Sequence, residues 1–299
     1  MIEKTRFDLK PDRYPFFCQW ELTCRCNLRC VMCYTDCFNA PEKLRQELST
    51  AEVFRVMDEL AAAGTAEILF TGGEAMTRPD FFAILERARR MGFVTDLFTN
   101  GTLIDEAAAD RLAAIAPHRV EISLHGVTKG VFESVTAGKG SFEKCLRGIR
   151  LLRERGIPLV LKATAMTLNE GEVLSVKKYA DELGVPFKLG ERMRATLEGE
   201  DSPSAYELPE DRRSRLIASD PELNSEACAK PAPGACRSGE TTFHIDAYGM
   251  LQLCSGNRAD GYDLRAGSFR EGFYERLPKF RCARKTAPLV QLSVLSNHG

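Results

Sequence analysis

The chain has 299 residues, 44% of them hydrophobic, which is enough to bury a full core. Its formal charge of −1 leaves no electrostatic footprint for nucleic acid, and no basic amphipathic run is addressed to a membrane surface. Met1 to Pro15 is mixed and charged without an apolar stretch of signal-peptide length, and no later run approaches a membrane span, so a cytoplasmic protein is expected.

Phe16 to Gln19 opens as a strand, on which Cys18 reads as a small core residue. The run Cys26-Asn27-Leu28-Arg29-Cys30-Val31-Met32-Cys33-Tyr34 follows. Three thiolates in one tight loop suit an iron–sulfur cluster with an iron left over for a small-molecule ligand. The same short spacing also suits a zinc knuckle with Cys24 as the fourth ligand. Against zinc, Cys24 lies only two residues before Cys26, a poor chelate spacing, and no second CxxC or HxxxH pair follows nearby. Cys24 and Cys37 otherwise read as free thiols. The eleven cysteines cluster near residues 18–37 and 228–282, a pattern of metal ligation in a reducing compartment rather than of a disulfide scaffold.

Strands then alternate with amphipathic helices up to Gly190. Ser49 and Glu52 have capping-box spacing, Val53, Val56, Met57 and Leu60 share one face, and Gly64 ends the helix. Ile68 to Phe70 forms the next strand, and Thr71-Gly72-Gly73-Glu74 sits at its end, with glycines that permit close backbone approach and a carboxylate that accepts from an ammonium. Pro79 opens a helix ending near Gly92, Val94 to Thr99 is a strand, and Asp105 caps a helix to about Ile115. Strand Val120 to Leu124 precedes the helix Ser141 to Arg155, whose apolar stripe puts Cys145 in the core. Strand Leu159 to Thr164, a helix from Asn169 to Gly184 and strand Phe187 to Leu189 complete the series. Six strand–helix units in roughly 175 residues fall short of the about 250 of a closed eight-fold barrel, so the fold class is α/β, a partial (β/α)6 barrel.

A polar link, Glu198 to Pro203, marks a boundary. The division expected is an N-terminal segment 1–15, a barrel 16–195 and a cysteine-containing extension 196–299. The extension holds a charged helical stretch from about Tyr206, a Pro-rich segment at 230–234 and a hairpin from Thr242 to Cys254 turning at Tyr248-Gly249.

Together, the three-cysteine loop and the later Gly72-Gly73-Glu74 closely resemble the radical S-adenosylmethionine (radical SAM) enzymes. Thr99-Asn100-Gly101, Ile122-Ser123-Leu124-His125-Gly126 and the run Thr136 to Phe142 resemble the peptide- and protein-modifying branch of that superfamily. The resemblance implies that Cys26, Cys30 and Cys33 hold a [4Fe-4S] cluster chelated by S-adenosylmethionine. It further implies that Tyr34 lies near the adenine and that Gly72, Gly73 and Glu74 bind the methionine amino group. Ser123 is the polar contact from the fourth strand, with Lys162, Thr164 and Arg194 as further cofactor contacts. Electron delivery to the sulfonium then breaks a carbon–sulfur bond, and a 5′-deoxyadenosyl radical takes hydrogen from the substrate.

In the tail, Cys236, twelve residues, Gly249, four residues and Cys254 resemble the opening of the SPASM/twitch extension. Cys228, Cys236, Cys254 and Cys282 suffice in number for one auxiliary [4Fe-4S] cluster, and the extension reads as shortened or divergent. Ser255 after Cys254, where sulfatase-maturing relatives carry Asp, argues against formylglycine formation. The substrate implied is a ribosomally made peptide, presented by a separate leader-binding protein or gripped at the barrel's own edge, with flavodoxin or ferredoxin as electron donor. The rival readings are an enzyme of haem, tetrapyrrole or other cofactor synthesis and, in a different class, a non-catalytic zinc or iron–sulfur binding protein.

Overall fold

The computed structural model describes residues 13–35, 39–190, 193–197, 199, 201–224 and 237–281. Strand β1 (Phe17–Glu21) leads through the cysteine loop to a single turn, α1 (Pro41–Leu44), and then to α2 (Thr50–Ala62). Ser49 caps α2 reciprocally with Glu52, as its spacing requires, and Val53, Val56, Met57 and Leu60 are buried on one face. The following units are β2 (Glu67–Thr71) with α3 (Phe81–Arg90), and β3 (Val94–Thr99) with α4 (Glu106–Ile115), whose N-cap is Asp105. After β4 (Arg119–Ser123) come two helices, α5 (Lys129–Thr136) and α6 (Ser141–Glu154). Then follow β5 (Leu159–Ala163), α7 (Val173–Leu183) and β6 (Phe187–Leu189).

Two helix starts differ from the sequence expectation. Helix α3 starts at Phe81, two residues after Pro79, and α7 starts at Val173 after a separate 3-10 turn at Glu170–Glu172. The Asn169 side chain is drawn instead into bonds with the Met166 N–H and with the carbonyls of His125 and Thr164. Helix α5 was absent from the sequence reading altogether.

β1 to β6 pair in parallel in chain order, with Glu21 opposite Thr71 and Ser123 opposite Lys162. Each right-handed crossover puts its helix on the outer face, so the C-terminal ends of all six strands share one rim. Trp20, Phe70, Leu97, Ile122 and Leu161 pack beneath the helices as the fully buried core. Beyond α8 (Glu210–Ser219) the chain returns to the sheet. β7 (Thr242–Ile245) pairs in parallel with β1, and β8 (Met250–Gln252) and β9 (Tyr262–Asp263) add antiparallel strands beyond it. The β7–β8 hairpin turns at Asp246 to Gly249, as its Tyr-Gly pair indicates, with Asp246 accepting from the N–H groups of Tyr248 and Met250. α9 (Phe269–Glu271) brings Phe269 and Phe273 against Phe243, ring centroids 5.0 and 5.5 Å away, and so covers the outside of β7. No helix among the described residues is long and apolar enough to cross a membrane.

Candidate functional site

The cysteine loop leaves β1 at the rim and is held by backbone contacts from several elements. The end of β2 provides the first. Gly73 N–H donates to Thr23 O at 2.8 Å and Glu74 N–H to Arg25 O at 2.7 Å, so the parallel pairing of β1 with β2 runs on into the loop. A Cβ on Gly72 would lie 2.3 Å from Thr23 O, and one on Gly73 would lie 2.5 and 2.6 Å from the carbonyl oxygens of Arg25 and Cys24. The close approach that the paired glycines permit is therefore to the backbone of the cysteine loop. Gly72 also has φ 141°, a conformation open essentially to glycine alone.

From the other side, Arg29 and Val31 N–H donate to Thr136 and Val135 carbonyls at the end of α5. Leu28 is buried against Gly138, where a Cβ would sit 2.5 Å from its methyl carbon. Two anchors came with no sequence signal. Asn39 exchanges two hydrogen bonds with the Cys26 backbone, at 3.1 and 3.0 Å, from a left-handed φ of 65°. Glu47 accepts from Thr23 Oγ1 at 2.8 Å and Cys24 N at 2.7 Å.

Cys26, Cys30 and Cys33 are thiols, partly exposed and electrostatically coupled to one another. Burial pushes the Cys26 thiol up to about 11 and Cys30 still higher, so becoming thiolates requires a compensating cation. Cys24 is a thiol in no disulfide, as expected. It is buried beside Ala247 and its sulfur lies 3.3 Å from the Tyr248 hydroxyl. Among the described residues no three His, Cys, Asp or Glu groups converge as they would on one metal ion. Three thiols coupled to one another on a pinned loop, without a fourth among the described residues, fit a four-iron cluster with one iron left for another ligand. Cys18 and Cys145 are core residues, as expected.

The Glu74 carboxylate is buried and accepts from Asn100 N at 2.7 Å, Thr99 Oγ1 at 3.0 Å and Met76 N at 3.2 Å. Burial raises its carboxyl above the usual range, against the lowering effect of those bonds. Asn100 in turn bonds Asn27, which bonds Thr102, so the end of β3 is tied to the loop between its first two cysteines. Ser123 and Lys162 are half-buried partners across β4 and β5, with the Lys162 ammonium 4.9 Å from the Phe98 ring centroid. Next to them His125 is buried, and desolvation and then Lys162 lower it to about 4; its Nδ1 accepts from Thr164 N. Arg194 and Tyr34 form a separate pair, guanidinium carbon 4.6 Å from the ring centroid. Of the tail cysteines, Cys254 sits in a turn bridged to Asn257, while Cys228, Cys236 and Cys282, like Cys37, lie outside the described residues.

The chain is similar to the AdoMet-dependent heme synthase of Methanosarcina barkeri, 33% identical over 198 residues, which are 64% of this chain and 56% of that protein. It is 36% identical to the PqqA peptide cyclase of Granulibacter bethesdensis over 164 residues, 55% of this chain and 43% of the relative. The chain thus spans about half the length of the curated relatives it matches. Among solved structures, Streptococcus suis SuiB bound to S-adenosylmethionine superposes with a TM-score of 0.70 at 14% identity, over 88% of this chain and 66% of that one. Native anSMEcpe with bound AdoMet gives 0.67 at 17% identity, over 87% and 80%. Both share the fold. The family described as the radical SAM superfamily matches residues 20–180, the span that carries the end of β1, the cysteine loop and β2 to β5, and the chain belongs to that superfamily.

Proposed function

We propose that the chain binds a [4Fe-4S] cluster through Cys26, Cys30 and Cys33 together with S-adenosylmethionine, and uses them to modify a ribosomally made peptide. The observation that carries the cofactor reading is the anchoring of a three-thiol loop on the Gly72-Gly73 backbone at the strand rim. Bound there, cluster and cofactor supply a one-electron cleavage that yields a 5′-deoxyadenosyl radical. The protein's share is to orient and to shield. Gly72, Gly73 and Glu74 would meet the cofactor's amino group, Ser123, Lys162 and Arg194 its other polar groups, and Tyr34 its adenine. The strand rim beneath them keeps water from a reactive carbon centre.

Peptide as substrate is supported by the PqqA peptide cyclase relatives and by the Cys236, Gly249, Cys254 spacing of the tail. A second reading, action on a tetrapyrrole, is favoured by the similarity to haem-type synthases at 33 to 35% identity. Electrons would come from a small redox protein such as a flavodoxin or ferredoxin, in a reducing, cytoplasmic setting.

After anaerobic reconstitution and dithionite reduction, the wild-type chain should release methionine and 5′-deoxyadenosine, and the Cys26→Ala/Cys30→Ala/Cys33→Ala variant should not. Turnover by that variant would sink the cofactor assignment. If the tail holds an auxiliary cluster, the same variant should retain about four irons, one per ligating cysteine of Cys228, Cys236, Cys254 and Cys282. An iron-free, folded variant would assign the tail a non-metal role. A mass change in a precursor peptide encoded beside the gene supports the peptide reading. Conversion of an iron porphyrin with the peptide untouched replaces it by the tetrapyrrole one.

A further inference from the structure

Glu21, the last residue of β1, is nearly buried and yet carries a charge-assisted network that the fold alone does not require. Arg258, in the segment after β8, donates from Nη1 to Glu21 Oε2 at 2.9 Å and from Nη2 to Oε1, a two-pronged pairing that fixes the plane of both groups. Arg258 Nε bonds back to Ser255 O at 2.9 Å, so the guanidinium has little freedom of its own. Tyr34 Oη donates to the same Glu21 Oε1 at 2.9 Å. His244, from the neighbouring β7, stands 3.7 Å from the other carboxylate oxygen.

Tyr34 is the residue immediately after the third cysteine, and β1, the segment after β6 and the segment after β8 all contact it. Its hydroxyl is tied to Glu21 and its carbonyl accepts from Leu197 N–H at 2.9 Å. Its ring is approached by the guanidinium carbons of Arg194 at 4.6 Å and Arg258 at 5.5 Å. A clamp whose only task was to dock the tail could join β1 anywhere along the strand. This one joins at the carboxylate that also orients the ring behind Cys33. Only an arginine pairs with a carboxylate through its fork and lies against an aromatic face at once.

We propose that Arg258 is a positioning residue for cofactor binding: through Glu21 and Tyr34 it sets where the cysteine loop turns away from Cys33, so that S-adenosylmethionine affinity depends on a residue of the C-terminal segment more than 200 positions from the loop. The proposal rests on the reading that Cys33 is a cluster ligand and that the chain binds S-adenosylmethionine.

The test uses the full chain, reconstituted anaerobically. Arg258→Lys keeps a cation beside the buried Glu21 and so protects the fold, but removes the fork and the guanidinium that stands 5.5 Å from the Tyr34 ring centroid. Iron per chain should match wild type, and the thermal midpoint should fall by no more than about 5 °C, since one charged bond to Glu21 remains. The dissociation constant for S-adenosylmethionine should rise at least five-fold, and the change that the cofactor induces in the electron paramagnetic resonance spectrum of the reduced cluster should shrink at the same cofactor concentration. In a Tyr34→Leu background the lysine substitution should cost nothing further, since contacting residues couple in a double-mutant cycle. An unchanged dissociation constant in Arg258→Lys overturns the proposal. So do additive losses in the two variants, which would mean that Arg258 does not act through Tyr34, whatever happens to the midpoint. Wild-type protein that loads iron but binds no S-adenosylmethionine would instead overturn the functional reading, a result distinguishable from either.

Discussion

Replacing Gly73 by Ala tests the claim that the glycine pair exists to admit the cysteine loop. The new Cβ would stand 2.5 Å from Arg25 O and 2.6 Å from Cys24 O, and both obstacles are backbone, so no side chain can rotate aside. Relief requires the end of β2 and the loop to part, and the bonds from Gly73 N to Thr23 O and from Glu74 N to Arg25 O are the ones that stretch. Each such bond contributes about 0.5 to 1.5 kcal/mol net, and crowding adds about 1 to 3 kcal/mol, for a combined loss of about 2 to 6 kcal/mol. In a chain of this size that lowers the thermal midpoint by about 3 to 10 °C. Because the parted segment leads straight into Cys26, iron content after reconstitution should fall as well. The control is Gly130→Ala in α5, where a Cβ meets nothing within 4 Å and the change should be neutral or stabilising by about 0.5 to 1 kcal/mol. A Gly73→Ala protein with wild-type midpoint and full iron would refute the steric account, and would leave the glycines free to be explained by the ligand alone.

Asn39→Gly keeps the left-handed backbone but deletes the amide that pairs with Cys26, so it should lower iron retention during gel filtration; Asn39→Ala should lose in addition about 1 kcal/mol of stability from strain. Glu74→Gln turns one acceptor oxygen into a donor facing the Asn100, Thr99 or Met76 donors, costing about 1 to 3 kcal/mol in a denaturant titration. The same variant should bind S-adenosylmethionine about ten-fold more weakly if the carboxylate also meets the cofactor's ammonium, at near-normal iron content. His125 is held at about 4 in the folded chain, whereas an unfolded histidine titrates near 6.5. Below about pH 6.5 the unfolded state therefore takes up the proton first, and stability falls from there down towards pH 4, by up to about 3 kcal/mol. Unfolding midpoints at pH 7.5 and 5 should differ less in His125→Gln than in wild type; an equal difference would place the acid sensitivity elsewhere.

Local chemistry made much of the barrel readable. The capping box at Ser49, the Asp105 cap and the strand Val94–Thr99 are all set by residues within a few positions of each other, and they fall where the sequence put them. Helix α5 escaped because it is only eight residues long and stands among Gly126, Gly130 and Gly138, too short for a 3.6-residue period to declare itself. β7 escaped for a different reason. Its four residues read as half of a local hairpin, and nothing in them reveals a parallel partner more than 200 positions away in β1. The same non-locality hid Arg258 behind Glu21, which as a charged residue closing a strand has no visible partner in the sequence. The cysteines and the Gly-Gly-Glu run were conspicuous, yet what the glycines approach was not: close packing can be inferred from a missing Cβ, but its object lies on another strand.

The anchors of the cysteine loop also bear on the order of assembly. Between Leu22 and Pro41 the described backbone has no helix or strand of its own, and fixing such a segment costs about 1 to 2 kcal/mol per residue in conformational entropy. In a zinc finger that cost is met by the metal, and the apo chain is unfolded. Here the loop is held by bonds from the end of β2, from the end of α5, and from Asn39 and Glu47. Those positions are in place only once the parallel sheet has closed over Trp20, Phe70 and Ile122, a core that contains none of the three thiols. The core is thus independent of the thiols, and the chain purified without iron is expected to keep the far-ultraviolet circular dichroism of the loaded protein; its loss would place cluster binding before folding. A cluster entering such a site spends little of its binding energy on ordering the chain, and more remains to hold the iron that keeps an open position for a second ligand.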